Sequence, residues 1–305
     1  MKLLYRAIPC LAIAFTCLVA LRQPGVAQSR LTLPDLRQKI DRELSQQTGI
    51  FAVAFKDVAT GQELLIRERE EFHAASTMKT PVMIEVYKQQ AAHSLSLSDS
   101  MLVKTEFKSI VDGSPYSLNA KDDSDTSIYR QVGTRRTLGS LVYDMIIVSS
   151  NLATNLVIER VGAQQVTQTM RDLGARDIQV RRGVEDSKAF ARGLNNTTTA
   201  YDLMMIFDKL ATGQAVSPEA SKAMIGTLLD QRFNDAIPAR LPASVKVAHK
   251  TGSVTGVRHD SGIVFLPDGR KYVLVLLSKD ISDDKKTSAT MATVSEWIYQ
   301  YMMQG

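Results

Sequence analysis

Val245–Ser278 reads VKVAHKTGSVTGVRHDSGIVFLPDGRKYVLVLLS. It contains three apolar, β-prone runs, Val245–Lys250, Ser261–Leu266 and Lys271–Ser278. Pro267-Asp268-Gly269 separates the last two, and Asp-Gly between apolar runs predicts a hairpin. The early part of the chain mirrors this pattern. Ile50–Lys56 is apolar and β-rich, Asp57-Val58-Ala59-Thr60-Gly61 reads as a turn, and Gln62–Arg67 reads as a return strand. A helical segment near Leu33–Gln46 precedes them, and a last helix, about Lys286–Met302, carries the only tryptophan, Trp297. Between these ends, Leu138–Val148, Leu152–Val161, Gln164–Leu173, Ala200–Leu210 and Pro218–Leu229 repeat apolar residues at spacings of three and four, a helical period. Strands at both ends and helices between them predict an α+β fold. One antiparallel sheet, built from the N- and C-terminal segments with flanking helices, carries an inserted helical lobe. The expected division is a sheet lobe over about 28–90 and 230–305 and a helical lobe over about 91–229. Val111–Arg136 is polar and rich in Asp and Ser, and reads as a long loop or partly ordered insertion.

The charge balance first suggests a polyanion partner: 37 Lys+Arg against 32 Asp+Glu in 305 residues, a formal +5. Residues 1–27 account for most of it. They hold Lys2, Arg6 and Arg22 and no acid, with a mostly apolar run from Ala7 to Leu21 and the small residues Gly25-Val26-Ala27 after it. That is the layout of a secretory signal peptide, and the run is short for a membrane span, which needs roughly 20 residues. Export to the periplasm or the extracellular space is expected. Without those three charges the balance is +2, and the short pairs Arg135-Arg136 and Arg181-Arg182 read as solvated surface. No nucleic-acid face and no stable membrane span is expected. Both cysteines, Cys10 and Cys17, fall in the signal, so the mature chain is expected to lack disulfides, thiol catalysis and cysteine metal sites. Ala14-Phe15-Thr16 before Cys17 is a poor lipidation signal.

Ser76-Thr77-Met78-Lys79 lies at the start of a helix read as Thr77–Gln90. Positions three apart share a helix face, so the hydroxyl and the amine can meet. Serine is a weak nucleophile until a base takes its proton, and a buried lysine can be that base. The pattern alone is weak, since it is expected about once by chance in such a chain. It recurs at Ser282-Asp283-Asp284-Lys285, in a charged linker that reads as surface. Lys250-Thr251-Gly252, at the end of a strand, offers a positive charge and a hydroxyl suited to a carboxylate, with Gly256 nearby to admit a ligand backbone. Ser149-Ser150-Asn151 joins two helices: its hydroxyl can relay a proton and its asparagine can orient a lysine and a substrate amide. Ser117-Leu118-Asn119 has the same form without a flanking helix.

Taken in order, S-x-x-K, S-x-N 73 residues later and K-T-G 101 residues after that resemble the class A serine β-lactamases and the related penicillin-binding proteins. The run from Ser149 to Leu156 and Thr197-Thr198-Thr199 extend the likeness, and the order of elements matches that fold over essentially all of residues 30–305. The resemblance implies that Ser76 is the acylated nucleophile and Lys79 a base. It implies that Ser149 transfers a proton and that Asn151 orients substrate. Lys250, Thr251 and Gly252 would hold the substrate carboxylate, and the N–H groups of Ser76 and Ser253 would form the oxyanion hole. It implies a small β-lactam substrate, no cofactor or metal, and a monomer. Glu185 is the candidate deacylation base.

The chain departs from that pattern at several positions. Glu185 precedes the threonine run by 12 residues, two fewer than the family spacing, with Ala189 in place of an asparagine. Asn196 stands where an aspartate closes the loop with an arginine, and Ser150 replaces the middle aspartate of S-D-N. Ser261 occupies the usual place of an arginine that helps bind the carboxylate, leaving Arg258 or His259 as substitutes. The departures predict normal acylation with slow deacylation or narrow specificity. A D-Ala-D-Ala peptidase-like penicillin-binding protein and a non-catalytic β-lactam-binding sensor are the other readings. His73, His93, His249 and His259 form no zinc-ligand pattern, and His73 and His249 read as structural.

Overall fold

Five strands, β1 (Ile50–Asp57), β2 (Glu63–Ile66), β3 (Lys246–Val254), β4 (Val257–Phe265) and β5 (Lys271–Lys279), form one antiparallel sheet in the order β2-β1-β5-β4-β3. The computed structural model describes residues 1, 4 and 30–304, so the expected signal segment, with both cysteines, lies outside the described residues except at Met1 and Leu4. The first expected strand pair thus joins the last three strands through β1 and β5, with Ile50 opposite Lys279 and Asp57 opposite Tyr272.

Alternation along the central strands divides the core in two. Phe51, Val53 and Phe55 of β1 and Tyr272, Leu274 and Leu276 of β5 pack with Leu36, Ile40 and Leu44 of α1 (Leu33–Ser45) and Met291, Val294 and Ile298 of α9 (Asp284–Met303). Ala52, Ala54, Val273, Val275 and Leu277 face the other way, into the core of the helical segment. The intervening helices are α2 (Lys79–Ala91), α3 (Leu138–Ile147), α4 (Asn151–Val161), α5 (Ala163–Asp172), α6 (Ser187–Ala191), α7 (Ala200–Ala211) and α8 (Pro218–Leu229). Of these, α7 lies on β1, β4 and β5, and α8 reaches β3. Alanines on the inner face of β1 leave room for that close helix layer. Capping matches the local sequence: Thr32 and Asp35 form a capping box on α1, Thr199 Oγ1 accepts from Asp202 N at the start of α7, and Gly174 follows α5 with φ +95°.

Several expectations need correction. Val111–Arg136, read as a long loop or partly ordered insertion, is partly ordered. Pro115–Ser117 pairs with Glu106–Lys108, Ile128–Gln131 is a 3₁₀ turn, and Arg135–Thr137 pairs with Ser100–Leu102. These pieces are three or four residues long and half exposed, too short for a periodic signal. β3 and β4 extend beyond the expected runs through polar residues, because an antiparallel ladder needs only a paired backbone. The serine nucleophile candidate lies in a 3₁₀ turn, Ala75–Met78, and the α-helix begins at Lys79. No helix among the described residues is long and apolar enough to cross a membrane.

Candidate active site

A cavity of about 920 Å³ opens between the β3 edge, the start of α2, the start of α4 and the loop that carries α6. Ser76, Ser149, Asn151, Glu185, Thr251, Gly252, Ser253 and Arg258 all line it. Lys79 and Lys250 stand behind the wall, both fully buried.

Ser149 joins the two lysines. Its Oγ accepts from Lys79 Nζ at 3.1 Å and from Lys250 Nζ at 3.0 Å. A hydroxyl has two lone pairs and one proton. With both lone pairs engaged, what remains to Ser149 is donation. Lys79 Nζ also donates to Ser149 O at 2.7 Å and Asn151 Oδ1 at 3.0 Å, and Lys250 Nζ to Thr251 O at 2.8 Å. Desolvation is the main cause that pushes Lys79 down to about 7, against the pull of Asp123 and Glu185. Lys250 is pushed well below its ordinary value by burial and then by Lys79, with Asp260 opposing.

Lys79 therefore docks on Ser149 and Asn151, and Ser76 Oγ has no hydrogen bond among the described residues. Ser76 is held by its backbone instead. Ala75, next to it, has φ +44°. A Cβ placed on Gly252 would lie 3.2 Å from Ser76 N and 3.1 Å from Thr77 N, so the missing side chain helps β3 run against the turn that carries Ser76. Ser149 and Glu185 also have positive φ, +58° and +64°. Three non-glycine residues in the left-handed region thus sit at or beside the candidate reacting groups, and such strain persists only where surroundings enforce it.

Glu185 Oε1 accepts from Asn151 Nδ2 at 3.2 Å, while Asn151 Oδ1 faces Lys79, so one amide spans the two candidate bases. The Glu185 carboxyl is raised, mainly by partial burial and then by Asp122 and Asp123, while Arg182 and Lys79 oppose. Its loop is closed by the Asn196 amide, which stands in place of an aspartate. Asn196 Oδ1 accepts from Arg181 N at 2.8 Å and Arg182 N at 3.2 Å, and its Nδ2 donates to Arg182 O at 3.0 Å. Arg182, read as surface, is buried, and its guanidinium donates to Leu194 O, Gly183 O and Asn195 Oδ1.

Arg258 lines the cavity with its guanidinium paired to Asp235 and its Nε without a hydrogen-bond partner among the described residues. His259 does not substitute for the missing arginine. Its ring lies buried away from the cavity lining, with its nitrogens 2.9 Å from His73 O and 2.7 Å from Arg258 O, and burial pushes it down to about 4. His249 is structural, held by Asp260 and Asn234, whereas His73 lines the cavity and its Nδ1 accepts from Ala75 N at 3.0 Å.

Sequence reasoning missed three positions. Asn155 grips the backbone beside Glu185, with Oδ1 accepting from Val184 N at 2.6 Å and Nδ2 donating to Val184 O at 3.0 Å. Buried Asp186 caps α6 and accepts from Ser109 Oγ and Ile110 N. Asp123 binds the start of α4. Only Asp186 carried a local signal, as an acid three residues before Ala189 at a helix start; the others act across long sequence separations. Phe190, Phe233 and Val254 form an exposed apolar rim to the cavity.

The family model described as "Beta-lactamase enzyme family" matches residues 35–302. The chain is 25% identical over 266 residues to beta-lactamase SME-1 of Serratia marcescens, covering 85% of each chain. Among solved structures, a beta-lactamase from Sphaerobacter thermophilus aligns with TM-score 0.76 at 24% identity, covering 90% of this chain and 98% of that one. The structure of PBP-A aligns with the same TM-score and identity, covering 89% and 97%. These two structural likenesses show the fold. The family match spans the strands, helices and cavity just described, and the chain belongs to the beta-lactamase enzyme family.

Proposed function

We propose that this protein is an exported, class A-type serine β-lactamase that opens the β-lactam amide through an acyl-enzyme on Ser76. The observation that carries this reading is the Ser149 hydroxyl held by both buried lysines at the wall of a cavity that also exposes Ser76 and Glu185. Ser76 Oγ attacks the lactam carbonyl and its proton passes to neutral Lys79. Ser149, oriented as a donor, delivers a proton to the leaving nitrogen and is reprotonated from Lys79. The N–H groups of Ser76 and Ser253 receive the developing oxyanion, a contribution of roughly 3–4 kcal/mol per donor. Lys250, Thr251 and Arg258 attract the substrate carboxylate, and the apolar rim receives its acyl side chain. Water, activated by Glu185, then hydrolyses the ester and frees Ser76. Residues 1–27 support export.

A second reading, a penicillin-binding protein-like acylation with slow release, is favoured by the Asp122 charge beside Glu185, which adds to burial in raising the candidate base. Steady-state hydrolysis of a penicillin, a cephalosporin and a D-Ala-D-Ala peptide by residues 28–305 separates the two. The expected result is β-lactam turnover abolished by Ser76→Ala, with acyl-enzyme trapped in Glu185→Gln and seen by intact mass. Turnover surviving Ser76→Ala would refute the mechanism. A stable acyl-enzyme in the unaltered protein would establish the second reading.

A further inference from the structure

The first N–H groups of an α-helix have no intrahelical partner. At α4, which begins inside Ser149-Ser150-Asn151, two of them go to one carboxylate from a distant segment. Asp123 Oδ1 accepts from Asn151 N at 2.9 Å, and Asp123 Oδ2 from Leu152 N at 2.8 Å. The next N–H, that of Ala153, goes to Ser150 Oγ at 3.3 Å. Asp123 is buried and also accepts from Tyr129 Oη and Asp125 N, each at 3.0 Å. An ionised carboxylate has about four acceptor sites, so four donors fill it.

Its neighbours hold the same junction. Ser124 Oγ donates to Val148 O at 2.7 Å, with Ser149 O a second, longer acceptor at 3.1 Å, and Asp122 O accepts from Asn151 Nδ2 at 3.3 Å. Ser149 O and Asn151 Oδ1 are two of the three acceptors of Lys79. The segment therefore grips the backbone that presents Lys79 with its partners.

We propose that Asp123 is a positioning residue for the reaction: it fixes the start of α4, and with it Ser149 and Asn151, and sets a negative charge against Lys79. The segment read from sequence as an insertion thereby becomes part of the site's frame. The kinetic half of this proposal rests on the acyl-enzyme reading above; the structural half does not. The charged groups facing Lys79 are Asp123, Glu185 from the α6 loop and, across Ser149, Lys250. Asp123 in turn faces Tyr129, whose hydroxyl donates to it, and Lys79. Removing the Asp123 charge favours neutral Lys79, so the pH at which acylation falls on the acid side moves down.

Amide exchange on the unaltered full chain reads the structural half without substrate. The Asn151 and Leu152 N–H groups are expected to exchange about 100-fold or more slowly than exposed amides; exchange at the exposed rate overturns the proposal. In Asp123→Asn, which keeps one acceptor and loses the charge, the acid limb of cephalosporin acylation is expected to move down by about one pH unit. In Asp123→Ala the Asn151 and Leu152 protection is expected to disappear as well. A uniform fall at every pH, with the limb unmoved, refutes the charge role. If these variants do not fold, exchange in the unaltered chain decides. Absence of any acyl-enzyme in the unaltered protein defeats the functional reading and leaves exchange to judge Asp123.

Discussion

At Lys79 two demands oppose each other. Three acceptors suit an ammonium, while complete burial favours the neutral amine, and burial holds the group at about 7. Acylation is therefore predicted to rise about tenfold per pH unit below pH 7 and to level off above it, as the neutral fraction does. Stopped-flow acylation across pH 5 to 9 tests this; a flat profile excludes Lys79 as the base. Lys79→Arg fixes the positive charge and is predicted to slow acylation by about 10²–10⁴-fold. At this scale the sequence was legible for residue types with motif spacing: Ser76, Lys79, Ser149, Asn151, Lys250, Thr251, Gly252 and Ser253 gather at or behind one wall, with Glu185 across from them. It was not legible for Asp123 and Asn155, whose partners are Asn151 and Val184, 28 and 29 residues away. Nor was the left-handed backbone at Ala75, Ser149 and Glu185 readable, because no glycine marks it.

Among the elements, the contact between β3 and the Ser76 turn is a tight one at the cavity wall. The atoms facing Gly252 include the backbone nitrogens of Ser76 and Thr77, which cannot swing aside like a flexible side chain. Gly252→Ala is predicted to lower acylation by about 10-fold or more while the far-ultraviolet circular dichroism spectrum is retained, since moving a reacting group by a fraction of an ångström is costly. Unchanged acylation would mean that β3 and the turn separate freely. Elements with a clear period, such as β1, α4 and α7, fell close to their expected bounds. β3 and β4 ran longer because their ends, Thr251–Val254 and Val257–Asp260, carry polar or cavity-facing residues with no apolar alternation. The short α6 escaped notice because five residues span little more than one turn.

For the whole molecule, the buried lysines make stability depend on pH. In the unfolded chain Lys79 keeps its ordinary value of 10.5, and in the folded chain it falls to about 7. Between those limits the unfolded state binds more protons, so this lysine makes stability rise as pH rises, by about 1.4 kcal/mol per pH unit per proton, and adds no slope below pH 7. Urea unfolding is predicted to show a shallower rise from pH 7 to 9 in Lys79→Met than in the unaltered protein; parallel curves would mean that Lys79 is not desolvated.

The pairing of β1 with β5 sets the order of events at birth. Ile50 pairs with Lys279, so the β1–β5 ladder can close only when nearly the whole chain is available. Helices between them bury their contacts locally and can assemble first, but β1–β5 closure spans more than 200 residues and is correspondingly slow. Ser76 and Lys79 emerge long before Lys250, which belongs to the late strands. A chain truncated before β3 therefore carries Ser76 without the strand that faces it, and one truncated before β5 has that strand but not the ladder that ties it to β1.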